Sequence, residues 1–269
     1  MKKILVVGKH SFIGSHFASM YSNVDLASYN DLVLYPPYGV DIRQYDVVVC
    51  CALDPLYRIY PYQDQNDIDF KVAKKAKEAN VHFIMLSTRR VYGMHSELKS
   101  FDENCLAQPF DNYSKNKFIT ENIIGSYLDN YTILRCSNVF GFEYKRNFSQ
   151  SFLGYCLNSL KQTGKIMFEA SDDLQRDFIH VNEFCRALYR VCERKTIGTF
   201  NVGSGVGLSV TRVPELIIKG YGSGELVKGT KVFDQFILNQ NKFTDTFDFE
   251  IAQNFEKQLI DIGKQLCKI

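Results

Sequence analysis

The chain has 269 residues, enough for one or two domains at roughly 100–200 residues each. Hydrophobic residues make up 45% and charged residues 23% of it, which excludes a disordered or fibrous chain. A net charge of +2 argues against a dedicated nucleic-acid binder.

MKKILVVG, at the start, has too short an apolar run for a secretory leader and meets Gly8 and Lys9 at once, so it reads as a first strand. No stretch approaches the ~18 apolar residues of a spanning helix; no membrane insertion is expected, and the expected location is the cytoplasm. The turn that follows, GKHSFIG, keeps Gly8 and Gly14 but has Ser11 midway, where dinucleotide-binding loops usually carry a third glycine. A helix is expected from about Phe12 to Ser22, then the strands VDLAS and DVVVCCA, a helix from about Asn66 to Ala79, the strand VHFIMLS, a helix from about Tyr113 to Tyr127, and the strand YTILRCS. Continuous apolar strands separated by helices indicate a parallel sheet covered on both faces, a doubly wound α/β fold with its ligand at the carboxyl ends of the strands. Only Arg43 to Asp46 separate Asp41-Ile42 from VVVCCA, whereas a parallel crossover needs a dozen or more residues. A peripheral helix is therefore missing, or the edge strand before it is rudimentary.

After about residue 142 the pattern loosens: a helix near 149–161, then KIMFEA, QRDFIHVNEFCRALYRVCE and FNVGSG, a helix near 211–219 and a final helix near 250–266. These segments are expected to form a smaller lobe (143–269) over the strand ends, with those near 176–202 returning to the main domain (1–142). Cys50, Cys51, Cys105, Cys136, Cys156, Cys185, Cys192 and Cys267 include no CxxC pair, and the five histidines show no ligand spacing, so the cysteines read as free thiols and no metal is expected. The aromatic content of 21 Phe and 16 Tyr reads mainly as core, although Phe148, Phe152 and Phe178 lie near motifs where a nucleotide base needs a flat partner.

The strongest chemical signal is Tyr113-Ser114-Lys115-Asn116-Lys117. Tyr113 and Lys117, at i and i+4, share a helix face, and the ammonium favours the tyrosinate, as a general acid/base requires. STRRVYG (87–93), at the end of a strand, supplies the hydroxyls of Ser87 and Thr88. Hydroxyl, phenol and ammonium together can pass a proton to or from a substrate alcohol while hydride moves to or from a nicotinamide.

The glycine loop, Asn66, STRRVYG, YSKNK, LRCSNVFG, QRDFIHVNE and FNVGSG, in this order, resemble the extended short-chain dehydrogenase/reductase family of nucleotide-sugar epimerases, reductases and dehydratases. The resemblance implies a Rossmann-like domain binding NAD or NADP, a substrate-binding lobe for a nucleotide-diphosphate sugar, and a homodimer formed through the helix that carries Tyr113. It makes Thr88 the catalytic hydroxyl, Tyr113 the acid/base, and Lys117 the group that holds the nicotinamide ribose. Gly8, Ser11 and Gly14 would line the pyrophosphate at a helix N-terminus. Phe12, Ile13, Asp41, Ile42, Cys51, Ala52 and Asn66 would join them around the cofactor, with Asp41-Ile42 at the adenine. Arg89, Asn138 and Arg176 would join Thr88 around the substrate, Asn138 and Arg176 on the diphosphate.

Departures from the family pattern narrow the reaction. No acidic residue stands where the adenosine ribose is usually read: VDLASYND offers Ser28, Tyr29 and Asn30, with Asp31 slightly late, which leaves NAD against NADP open. Arg89 and Arg90 replace the Asp-Glu pair of 4,6-dehydratases and cannot act as acid and base. The cysteine of the fucose-synthase type is absent at position 90. The expected function is a 4-ketoreductase for a nucleotide-linked 4-keto-6-deoxy sugar, using NADPH. The alternatives are a nucleotide-sugar 4-epimerase and a non-catalytic dinucleotide or nucleotide-sugar sensor.

Overall fold

Residues 2–34, 39–142, 151–252 and 254–269 are described by a computed structural model. The chain runs β1 (Ile4–Val7), α1 (Phe12–Met20), β2 (Val24–Ala27), α2 (Tyr29–Val33), β3 (Val47–Cys50), α3 (Pro55–Ile59), α4 (Ile68–Glu78), β4 (His82–Thr88), β5 (Ser100–Phe101), α5 (Asn112–Tyr127), β6 (Tyr131–Cys136) and β7 (Asn138–Phe140). It continues with α6 (Phe152–Thr163), β8 (Lys165–Ala170), β9 (Gln175–His180), α7 (Val181–Arg194), β10 (Gly198–Val202), β11 (Gly207–Ser209), α8 (Arg212–Tyr221), β12 (Glu225–Lys231), β13 (Ile237–Leu238), α9 (Asn241–Phe247) and α10 (Phe255–Cys267).

Every side chain of β1 (ILVV) and β3 (VVVC) is buried. Strands of this kind need helices on both faces, which is the setting of a parallel sheet. The main sheet has the order β10-β6-β4-β3-β1-β2, with every neighbouring pair parallel. One face packs on α4 and α5 through Val72, Ala73, Ala76 and Ile124. The other packs on α1, α7 and α9 through Phe17, Phe184, Leu188, Val191, Phe243 and Phe247. Thus α7 and β10 belong to the main sheet and its core, although they lie in the carboxyl-terminal half of the chain.

The strand order reverses between β1 and β3, so the loops leaving their carboxyl ends diverge and open a crevice. Among the described residues between β2 and β3 there are only the five-residue α2 and a 3-10 turn, Ile42–Gln44. The sheet accordingly stops at β2. Asp41-Ile42 forms the start of that turn rather than a strand, with Asp41 accepting a hydrogen bond from Arg43 N at 3.1 Å.

A second core joins α6, α8 and α10 through Leu153, Leu157, Leu160, Leu216, Ile217, Leu259 and Ile262. Phe140 and Phe178 belong to it and carry it up to the strand ends. β7, β9 and β11 form a small sheet there. The expected helix near 250–266 is observed as α10, which begins at Phe255, and a further helix that the sequence reading did not name, α9, precedes it and is capped by Asp248 at a left-handed φ of 49°. The expected helix near 149–161 is observed as α6, with 149 and 150 outside the described residues.

Candidate active site

A cavity of about 1210 Å³ lies at the carboxyl ends of the sheet, between the main core and the second core. Its first wall is the β1–α1 turn. Gly8 has φ +123°, and a Cβ there would lie 2.8 Å from both the Cys51 carbonyl carbon and the Ala52 nitrogen. Only glycine lets the turn lie this close to the chain leaving β3. Ser11 is the N-cap of α1, its Oγ accepting from Gly14 N at 3.0 Å. Gly14 is packed behind that cap, where a Cβ would meet Ser11 Oγ at 2.5 Å and Val6 Cγ1 at 3.0 Å. Gly8, Ser11, Phe12, Ile13, Cys51 and Ala52 line the cavity.

Ser28 and Tyr29, at the end of β2, continue this wall. Asp31, the acidic residue closest to them in sequence, is engaged by the chain itself. Its Oδ2 accepts from Ser28 N at 2.7 Å and lies 3.5 Å from Lys9 Nζ. Those hydrogen bonds from Ser28, with Lys9 adding to them, hold its carboxyl below the usual range.

The opposite wall brings together Thr88, Tyr113 and Lys117. β4 ends at Thr88, whose Oγ1 accepts from Arg90 N at 3.2 Å; the hydroxyl proton is not used in that bond. Ser87 also borders the cavity, but its hydroxyl donates to Glu121, whose carboxylate is clamped by Arg135 at 2.7 Å. A reciprocal cap between Asp111 and Ser114 starts α5 just ahead of Tyr113. One turn on, Lys117 is 4% exposed and donates from Nζ to Asp69 Oδ2 at 2.6 Å and to Leu86 O at 2.9 Å. Burial works against its charge, but Asp69 and then Tyr113 outweigh burial and hold its pKa well above the usual lysine value. The guanidinium of Arg58, on α3, lies 5.3 Å from the Tyr113 ring centroid.

On the side of the second core the cavity is lined by Asn138, Phe152, Arg176 and Phe178. Arg176 donates from Nε to Asp234 O at 2.9 Å, and its guanidinium lies 5.1 Å from the Phe233 ring. Phe148 lies outside the described residues.

Five of the sequence-based assignments do not line this cavity: Gly14, packed behind the Ser11 cap, and Arg89, Asp41, Ile42 and Asn66. Arg89 is buried, forms a two-pronged pair with Asp234 (2.6 Å on one prong) and stacks 4.0 Å from the Phe236 ring. Asp41 chelates the Arg43 side chain at 2.8 and 3.0 Å, and Ile42 follows it in the same turn. Asn66 is not in α4 but in the 3-10 turn Asp64–Asn66 before it, because Asp67 caps the helix by accepting from Phe70 N at 2.9 Å. Its side chain is buried and donates to Gln63 Oε1 at 3.2 Å.

Conversely, the sequence reading passed over Arg58 and Asp69. Arg58 had a legible local signal, since Asp54-Pro55 is an N-cap followed by proline at the first helical position. Asp69 had none. It meets Lys117 across 48 residues of chain, through the packing of α4 on α5.

The lining fits a dinucleotide. A glycine turn and a helix N-terminus stand at one end, the backbone of 51–52 lies beside them, and the buried Lys117 ammonium, with two of its three N–H groups on Asp69 and Leu86, stands at the other. A protein-family model, the NAD dependent epimerase/dehydratase family, matches residues 44–203. GDP-6-deoxy-D-talose 4-dehydrogenase of Aggregatibacter actinomycetemcomitans is 28% identical over 153 residues, 56% of this chain and 49% of that protein. The match therefore spans about half the length of this curated relative. Among solved structures, UDP-N-acetylglucosamine 4-epimerase from Methanobrevibacter ruminantium M1, in complex with UDP-N-acetylmuramic acid, superimposes with a TM-score of 0.81 at 21% identity, covering 99% of this chain and 98% of that one. RMD from Pseudomonas aeruginosa, complexed with NADPH, gives 0.77 at 16% identity, with 100% of both chains covered. At these identities the two structures speak for the fold.

Proposed function

The chain belongs to the NAD-dependent epimerase/dehydratase family, and from that premise we propose that it is an NAD(P)-dependent nucleotide-sugar oxidoreductase, a 4-ketoreductase acting on a 4-keto-6-deoxy sugar. The observation that carries this reading is the convergence of Thr88, Tyr113 and Lys117 on the cavity that begins at the Gly8–Ser11 turn.

The turn and the N-terminus of α1 would hold the pyrophosphate, and Lys117, with its remaining N–H, the nicotinamide ribose. When bound, the reduced nicotinamide supplies hydride to the carbonyl carbon. Tyr113 gives its phenol proton to the carbonyl oxygen, and Thr88 steadies that oxygen with a hydrogen bond. The resulting tyrosinate lies beside Lys117 until solvent returns the proton. Arg176 and Asn138 face the diphosphate, and Phe152 and Phe178 offer flat surfaces to the base. Arg89 and Arg90 are tied to Asp234 and Asp111 and stay protonated, which speaks against the dehydration of 4,6-dehydratases. With the Asp31 carboxylate bonded to Ser28 and paired with Lys9, no unpaired carboxylate stands at the end of β2 among the described residues to repel a 2′-phosphate, which favours NADPH as the reductant. A homodimer through the outer face of α5, where Ile119 is exposed, belongs to the same reading.

The same groups used twice would perform 4-epimerisation; the name of the curated relative, a 4-dehydrogenase, favours a single transfer. Purified protein given NADPH and a nucleotide-linked 4-keto-6-deoxy sugar should consume cofactor in a 1:1 ratio, about one per ketone reduced. Interconversion of sugars with no net cofactor change would overturn the reductase in favour of the epimerase. Tyr113→Phe should lower kcat by about 10²–10⁴-fold while nucleotide binding, followed by its fluorescence, persists. Unchanged turnover in that variant would remove Tyr113 from the chemistry and return the protein to a binding role.

A further inference from the structure

An ammonium one helical turn from a phenol lowers the phenol's pKa by Coulomb attraction to the tyrosinate. Lys117, however, is not a free charge. Its Nζ touches Asp69 Oδ2 at 2.6 Å, with Lys117 4% and Asp69 2% exposed, so water screens neither. The second carboxylate oxygen, Asp69 Oδ1, is buried with no hydrogen-bond partner. Among the described residues Lys117 is the charged group hydrogen-bonded to this carboxylate, with the neutral thiol of Cys50 beside it, and from Tyr113 the lysine and the carboxylate together present a dipole rather than a unit charge. The field of a dipole falls off faster than that of the ion alone.

We propose that Asp69 is a positioning residue that neutralises Lys117 and so keeps Tyr113 in its protonated, proton-donating form, biasing the site toward reducing a ketone rather than oxidising an alcohol. This rests on the reading of Tyr113 as the acid. The other groups packed around the pair leave the balance to Asp69. From β3, Cys50 is a thiol whose pKa burial raises well above its usual value, and from β6, Cys136 is pushed up to about 12 by burial, so both are neutral. From α3, Tyr57 is held as a phenol by burial, and Arg58 is exposed to solvent, which screens it. From the cap of α4, Asp67 is occupied by Thr120 Oγ1 at 2.6 Å, Phe70 N at 2.9 Å and Tyr62 OH at 3.0 Å. From β4 the pair meets the neutral carbonyl of Leu86.

The test is a pH titration of tyrosinate ultraviolet absorbance, taken as the difference between the protein and its Tyr113→Phe variant, with no nucleotide or sugar added. The expected result is that Tyr113 remains a phenol at about pH 7, that Asp69→Asn moves its ionisation to lower pH by about one unit, and that Asp69→Glu restores the original midpoint. In the reductase assay the alkaline limb of kcat should move with it. Tyr113 already ionised at neutral pH in the unaltered protein would overturn the proposal, and that arm does not depend on the variant folding. An unmoved or raised midpoint in folded Asp69→Asn would overturn it as well. Because the titration reads Tyr113 alone, the expected shifts in a protein that reduces no ketone would sink the functional reading while leaving the control of Tyr113 by Asp69 intact.

Discussion

Gly8 shows how one residue links the backbone to the cavity. Its φ of +123° and the 2.8 Å approach of a Cβ to the 51–52 backbone are independent obstacles to any larger residue. Gly8→Val is therefore expected to abolish nucleotide binding and lower the melting temperature; intact binding would mean that the loop is only a turn. Ser11→Gly removes one cap hydrogen bond and should cost only a few tenths of a kcal/mol, with nucleotide binding retained in a fluorescence titration. Thr88, Tyr113 and Lys117 were legible in the sequence because a strand end and an i, i+4 pair are local patterns. The partners of Arg89 and Lys117 were not: Asp234 and Asp69 lie 145 and 48 residues away along the chain.

At the scale of elements, the apolar runs made the strands readable, and the structure adds the caps that start the helices. Ser11, Asp67, Asp111 and Ser151 each accept a backbone N–H at the start of α1, α4, α5 and α6. Helix ends and close helix contacts were less visible. α8 and α10 cross at glycines, where a Cβ on Gly263 would lie 2.2 Å from Ile217 O and one on Gly220 2.0 Å from Ile260 O. Neither neighbour is a flexible side-chain tip, so the helices must separate to admit a methyl group. Gly263→Ala should destabilise the protein by about 1–3 kcal/mol, read as a lower melting temperature, and should loosen the wall that carries Phe178. A variant as stable as the parent would show that the crossing can shift without penalty.

For the whole molecule, pH acts through histidines held neutral by burial. His82 is 6% exposed, its Nε2 lies 2.8 Å from Thr132 Oγ1, and desolvation lowers its pKa to about 4 from 6.5. His180 is lowered to about 4 by burial, with His16 adding to the effect. Between these limits the unfolded chain binds more protons than the folded one, so the stability present above about pH 6.5 is lost as pH falls toward 4. For His82 alone the loss is about 3 kcal/mol. Urea midpoints measured across this window should fall steeply for the parent protein and less steeply for His82→Gln; parallel slopes would remove His82 as the cause.

The sequence by itself determined the parallel α/β class, the glycine turn before α1, and the local spacings of Thr88, Tyr113 and Lys117, which line one cavity. These rest on apolar patterning and short spacings, which act within a few residues of chain. Tertiary structure alone decided that the Ser87 hydroxyl is taken by Glu121, that Arg89 serves Asp234, and that Asp41 stays with Arg43. It also placed Asp69 on Lys117. Each of these outcomes depends on which polar groups packing brings together, and apart from the Asp41–Arg43 chelate the partners lie far apart in the chain. A buried charge must find a partner, but nothing in the local pattern of residues says which one the fold will supply.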